Sequence, residues 1–215
     1  MKKVCLTVLF LSACFNVFGQ GVIREINGTV EVKHSGSASF VAANVGDRLR
    51  QDTIISTSFK SFAVIEIGHS TMIVRPLTRL SLTEIQTSSE QETLNISLQS
   101  GRVKVDVKPP AGTRATMSVQ SPSAVASVRG TSFEFDTRTL YVSEGIVSLA
   151  GKRGHEVAVN AGSEGRIDID SRAVTDTEVR ASRVTTIPIM PGMTGSIFSG
   201  PVSPGVPYII GLNFK

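Results

Sequence analysis

The sequence predicts an all-β protein, and three observations carry that expectation. From Val22 to Ile169 apolar residues recur at every second position, without the 3.6-residue period of an amphipathic helix. The alternating runs are short and are separated by Gly, Pro, Asn or Ser turns. No strict repeat length connects them, which disfavours a regular β-helix. The architecture expected is therefore an irregular β-sandwich or a β-roll, a solenoid-like stack of hairpins.

Taken in order, the chain opens with Met1-Lys2-Lys3 and an apolar run from Val4 to Ala13, the layout of a secretory signal peptide over residues 1–19, cleaved after Gly19. Leu11-Ser12-Ala13-Cys14 also resembles a lipobox, which would put a lipid on Cys14 instead. The mature protein is thus expected to be exported, to the periplasm, the outer-membrane surroundings or the medium. Membrane attachment is expected only if Cys14 is lipidated. Both cysteines lie in this leader, so the body contains neither a disulfide nor a thiol nucleophile.

The β domain is expected over residues 20–170. Thr29 to Lys33 alternates, His34 to Ser37 turns, and Phe40-Val41 begins a connection to Gly46-Asp47. Thr53 to Ser56 and Ser61 to Ile67 read as strands, the second apolar on both faces and so expected to be buried on both. Gly68-His69-Ser70 reverses the chain into Met72-Ile73-Val74, and Pro76 ends that strand or puts it on an edge. Leu80 and Leu82 continue on a new strand, and Ser88 to Glu92 reads as a polar tip. Leu94, Ile96 and Leu98, then Val103, Val105 and Val107, flank Ser100-Gly101 as the clearest hairpin pattern in the chain. After the Pro109-Pro110 break, Ala115, Met117 and Val119 lead into the segment from Ser118 to Leu149. Val157 and Val159, then Ile167 and Ile169, close the series, with Asp168 and Asp170 on a solvated strand face.

Residues 171–186 read as a linker or a short helix, because Thr175-Asp176-Thr177-Glu178 has the spacing of a capping box. Residues 187–215 form a Pro/Gly-rich tail, with a terminal strand pattern from Tyr208 to Phe214.

Composition narrows the function. The formal net charge is +4, and the basic and acidic residues are interspersed, so nucleic-acid binding is not expected. Tryptophan is absent and there are two tyrosines, which disfavours an aromatic stacking platform. His34, His69 and His155 are scattered and have no metal-ligand spacing. No nucleophile elbow, paired acid and base, or phosphate loop is present. A non-enzymatic protein without cofactor is expected.

The most distinctive stretch is Ser118 to Leu149. Pro122 marks its approach, and Val125, Ala126 and Val128 lead to Arg129-Gly130-Thr131. Phe133 and Phe135 alternate after it, and a turn at Asp136 to Arg138 would bring Leu140 and Val142 opposite them. The run ends at Glu144-Gly145. Gly130 lies between two period-2 segments, where a bend or bulge is easiest without a side chain. The residues singled out are Pro122, Arg129, Gly130, Thr131, Phe133, Glu144 and Gly145, as structural or partner-contact positions. For Arg129 two roles stand open: its guanidinium satisfies turn carbonyls, or it contacts a partner.

SPSAVASVRGTSFEF followed by YVSEGIVSL resembles the FecR domain. So do Val45-Gly46-Asp47 with Asp52 to Thr57, Ile67 to Ser70, and Leu98 to Val103. Ser121-Pro122 stands where that family has a Thr-Pro-like pair, and Gln51 replaces a glycine of its Gly-Asp segment. The resemblance covers about Gly28 to Ile169 and implies a β-rich periplasmic module. In the family's relay arrangement, such a domain receives a signal from an outer-membrane, TonB-dependent receptor and passes it to an extracytoplasmic-function sigma factor. A cytoplasmic anti-sigma segment and a membrane helix precede the domain there; here the leader stands in their place. The expectation is a protein-binding signalling or scaffold module of the cell envelope. Its partner would be an outer-membrane receptor or a membrane regulator, met by strand addition at a sheet edge. The alternative is a surface adhesin or a structural protein that binds envelope polymer.

Overall fold

In the computed structural model, residues 20–88 and 91–177 are described. The strands are β1 (Gly21–Asn27), β2 (Val30–Lys33), β3 (Val41–Ala42), β4 (Arg48–Leu49), β5 (Ile54–Thr57), β6 (Phe62–Ile67), β7 (Ser70–Val74), β8 (Arg79–Thr87) and β9 (Gln91–Ser100). There follow β10 (Arg102–Val107), β11 (Arg114–Gln120), β12 (Ala124–Val128), β13 (Ser132–Asp136), β14 (Thr139–Glu144), β15 (Ile146–Gly151), β16 (Glu156–Asn160), β17 (Glu164–Ile167) and β18 (Ala173–Thr175). They form two nine-stranded sheets. The first runs β4-β1-β6-β7-β10-β13-β14-β17-β18 and the second β3-β2-β5-β8-β9-β11-β12-β15-β16. The fold is all-β and sandwich-like, as expected. Every pairing is antiparallel except that of β9 with β11.

The chain changes sheets after nearly every hairpin: β6-β7 lies in the first, β8-β9 in the second, β13-β14 in the first, β15-β16 in the second. The physical reason is burial. A hairpin with one apolar face has nothing to cover it in its own plane, so the next hairpin covers it from the opposite layer. The alternating residues duly meet in one core, where Ile65, Leu82, Val105, Phe133, Phe135 and Leu149 are all fully buried.

This arrangement corrects the clearest hairpin of the sequence. β9 and β10 do not pair: β9 is bonded to β8 and β11, and β10 to β7 and β13. Ser100-Gly101 is a corner between layers. Alternation dictates which face of a strand is apolar but not which strand lies beside it. Strands facing each other across a core need the same pattern as strands paired within one sheet.

Three such corners are stitched together by two threonines. Thr57 Oγ1 donates to the Arg75 carbonyl at 2.6 Å and accepts from the Thr78 amide at 3.0 Å. Thr78 Oγ1 in turn accepts from the Arg102 amide at 3.0 Å and lies 3.1 Å from the Arg102 carbonyl. Both threonines are buried, so these bonds satisfy groups that water does not reach.

Four further expectations change. β6 is buried on one face only: Ala63, Ile65 and Ile67 point inward, while Phe62 and Val64 are half-buried on the outer face. Glu92 is not part of a polar tip. It sits in β9, 2% exposed, and its carboxylate accepts the Ser70 hydroxyl at 2.6 Å and the His69 amide at 2.8 Å. β17 stops at Ile167; Ile169 is 95% exposed on a turn whose amides at Asp170 and Arg172 are held by Asp168 Oδ1. A further strand, β18, occupies Ala173–Thr175, inside the segment read as linker or helix, and helical backbone begins only at Asp176. The remainder of the segment read as linker or helix (178–186), the leader and the tail lie outside the described residues.

The burial of Glu92 leads to a prediction. Glu92→Ala leaves a buried hydroxyl and an amide without their acceptor and is expected to cost about 1–3 kcal/mol. A urea melt measures it, and an unchanged midpoint would show that water replaces the carboxylate.

Candidate functional site

The residues singled out from the sequence separate into three places. Phe133 is core: it is fully buried in β13, with Val105 and Val142 directly opposite on the flanking strands. Phe135 likewise meets Leu140, as the spacing predicted. Pro122 is exposed in the β11-β12 turn. There Ser121 Oγ accepts the Ala124 amide at 2.9 Å and lies 2.8 Å from the Thr137 carbonyl. Arg129, Gly130, Thr131, Glu144 and Gly145 lie together at the other end of β12.

That end is built from two stacked corners. Gly130 carries the chain from β12 in the second sheet to β13 in the first, with φ +63°. Gly145 returns it from β14 to β15, with φ +79°. Both conformations favour glycine. Gly145 is also constrained by space, because a Cβ there would stand 2.5 Å from Thr131 Cγ2, whereas one at Gly130 would meet only Pro109, at 3.7 Å. Thr131 is buried between the corners. Its carbonyl accepts the Val107 amide at 3.0 Å, and the Gly145 carbonyl accepts the Ala161 amide at 2.9 Å. A glycine, a small plug and a second glycine thus close this end of the sandwich.

Arg129 projects from this frame. It is exposed and makes no hydrogen bond or ion pair with any described residue, so it does not satisfy the turn carbonyls. It lines a cleft of about 350 Å³ with Gln91, Pro109, Arg114, Thr116 and Gly130. Arg114 is exposed as well. Nearby, Lys108 Nζ binds Asp106 Oδ2 at 2.6 Å, which raises the Lys108 pKa, with a smaller contribution from Glu144. The cleft therefore presents two guanidiniums, each with five donors, to whatever enters it.

Sequence reasoning found Arg129 but not Arg114, which joins it only because β11 lies beside β12. His34 and His69 are exposed, and the His155 Nδ1 lies 3.0 Å from the Ala173 carbonyl. No group of three metal-ligating side chains forms among the described residues. No helix among them is long and apolar enough to cross a membrane.

Residues 53–148 match the family model described as FecR protein. Two crystal structures of candidate anti-sigma factors from Parabacteroides distasonis ATCC 8503 are similar over part of their length, at 12% and 13% identity and a TM-score of 0.47 each. The match covers 57% of this chain and 58% of the first, and 60% of this chain and 64% of the second. The chain therefore spans less than two thirds of either. No curated protein matches it significantly.

Proposed function

From the match of residues 53–148 to the FecR family model, we propose that this chain is a non-enzymatic, exported protein-binding module that serves signalling or scaffolding in the cell envelope. The observation that carries the reading is Arg129. A long cationic side chain stands on a corner whose backbone is held by two left-handed glycines and a buried threonine. It has no use inside the described fold. A rigid mount with a free guanidinium suits recognition of a carboxylate or carbonyl on another protein.

Backbone recognition is the second element of the reading. Of the four edge strands among the described residues, β3, β4 and β18 are two or three residues long, too short to template a partner strand. β16 has five residues, with Glu156, Ala158 and Asn160 exposed, and is the edge best suited to strand addition. The partner in this reading is an outer-membrane receptor or a membrane regulator.

The test is a photocrosslinking amino acid placed at position 129 or 158 in cells exporting the full chain. Discrete protein adducts are the expected result. Labelling of cell-wall polymer alone would favour the adhesin or polymer-binding alternative and overturn this one. Arg129→Glu is expected to abolish a partner contact while changing stability by less than about 0.5 kcal/mol, since nothing in the fold depends on the side chain. A large drop in the urea midpoint would return Arg129 to a structural role.

A further inference from the structure

The opposite end of the sandwich carries a second set of features that the FecR corner does not use. There the β5-β6 and β7-β8 corners stack, with the Leu77 amide donating to the Ser58 carbonyl at 3.3 Å. Phe59 is 70% exposed and Leu77 is 62% exposed. Lys60 and Leu77 both hold positive φ, +54° and +55°. A left-handed leucine with its side chain in solvent is unfavourable twice over, and such outliers concentrate at binding sites.

Beside Leu77 lies a groove of about 790 Å³ whose walls include Arg75, Arg102, Glu134, Asp136 and Arg138. It continues into a smaller hollow of about 280 Å³ that reaches Tyr141, 49% exposed, and Glu164. Sheet register builds this surface: Arg102 stands opposite Asp136 and Glu134 opposite Tyr141. Arg138 Nη2 donates to the Asp168 carbonyl at 3.3 Å, while Arg75 and Arg102 are only loosely engaged. Arg75 and Arg102 approach Glu134 at 3.5 Å, and Arg102 approaches Asp136 at 3.7 Å. Full charge-assisted bonds are about 2.7–2.9 Å long. Arg75 Nε is enclosed and makes no hydrogen bond. Lys104, opposite Glu134, and Arg166, opposite Thr139, add positive charge on the flanks.

We propose that this groove is a docking site for an acidic segment of another protein, an extended stretch in which Asp or Glu adjoins a large apolar residue. The carboxylate takes the unused arginine donors, and the apolar residue packs on Leu77. The inference rests on the protein-binding reading above and adds a second site with a stated partner chemistry. Charge sign selects an acidic partner, since three arginines face two carboxylates in the main groove. Shape selects a chain segment: the surface is concave, and an extended segment reaches its floor where a flat bilayer does not.

The experiment uses the purified mature chain and short synthetic peptides in fluorescence polarisation. One peptide alternates Glu with Leu and Phe, a second has Lys for every Glu, and a third has Ser for every Leu and Phe. Binding of the first, with the other two weaker by roughly tenfold or more, is expected. Arg75→Glu with Arg102→Glu should weaken the first peptide by a similar factor. Leu77→Gly should weaken it too, yet leave the urea midpoint level or higher, because glycine is at ease at that φ. This second variant keeps the test decisive if the charge reversals disturb folding. Equal binding of the Glu and Lys peptides, no binding of any, variants that bind like the wild type, or binding to phosphatidylglycerol vesicles alone would each overturn the proposal. If crosslinks at position 129 persist in the charge-reversed chain, the module reading stands while the groove proposal fails only on the peptide result.

Discussion

Alanine in place of Phe133 is expected to lower the free energy of unfolding by roughly 3–5 kcal/mol. The ring is fully buried, on a strand with neighbours on both sides, between Val105 and Val142. Truncation removes its transfer energy and leaves a cavity that two flanking β-strands cannot collapse to fill. Domains of this kind hold about 5–15 kcal/mol in all, so the loss is a large fraction of the total. At a urea m-value of about 1–3 kcal/mol/M, the midpoint should fall by about 1 M or more. A midpoint equal to that of the wild type would mean that the β13 core packing is not as described. Arg129→Glu, four residues away, serves as the contrast, since it changes the same motif without touching the core.

Gly101→Ala is the second substitution with a large expected effect. Gly101 has φ +86°, and an added Cβ would run into Thr78 Cα and stand 2.7 Å from the Leu77 carbonyl oxygen. These are backbone atoms, so no rotamer change relieves the overlap. Thr78 also bonds both polar backbone groups of Arg102, and the corner cannot move away without breaking them. A left-handed alanine costs about 1–2 kcal/mol, and overpacking adds about 1–3 kcal/mol. The melting temperature should fall by on the order of 10 °C. Gly112→Ala is the control: its φ is +90°, but nothing lies within 4 Å of the added atom. Equal losses for the two variants would show that backbone conformation alone, and not corner packing, sets the requirement at Gly101.

Gly101 also shows where reading the chain stops. It is legible as a turn, yet turning back beside the same strand and turning across to the other sheet call for the same glycine. The FecR corner is similar. Gly130 and Gly145 are visible in the sequence as breaks between strands, but not as neighbours on either side of Thr131. The arginine groove had no sequence signal at all, because Arg75 comes from the β7-β8 corner and Arg102 and Glu134 from separate strands, and they meet only in the fold. Glu92 looked like surface for the same reason: its partners, His69 and Ser70, come from another layer.

What the sequence determined by itself was the class of structure, the inward face of each strand and the positions where the backbone must turn. Those are local properties, set by side-chain alternation and by the φ freedom of single residues. Only the tertiary structure decided which strands became neighbours, which corners stacked and which charged residues faced one another. Those depend on each hairpin finding apolar cover in the opposite sheet, a requirement that period-2 patterning meets equally well in many arrangements.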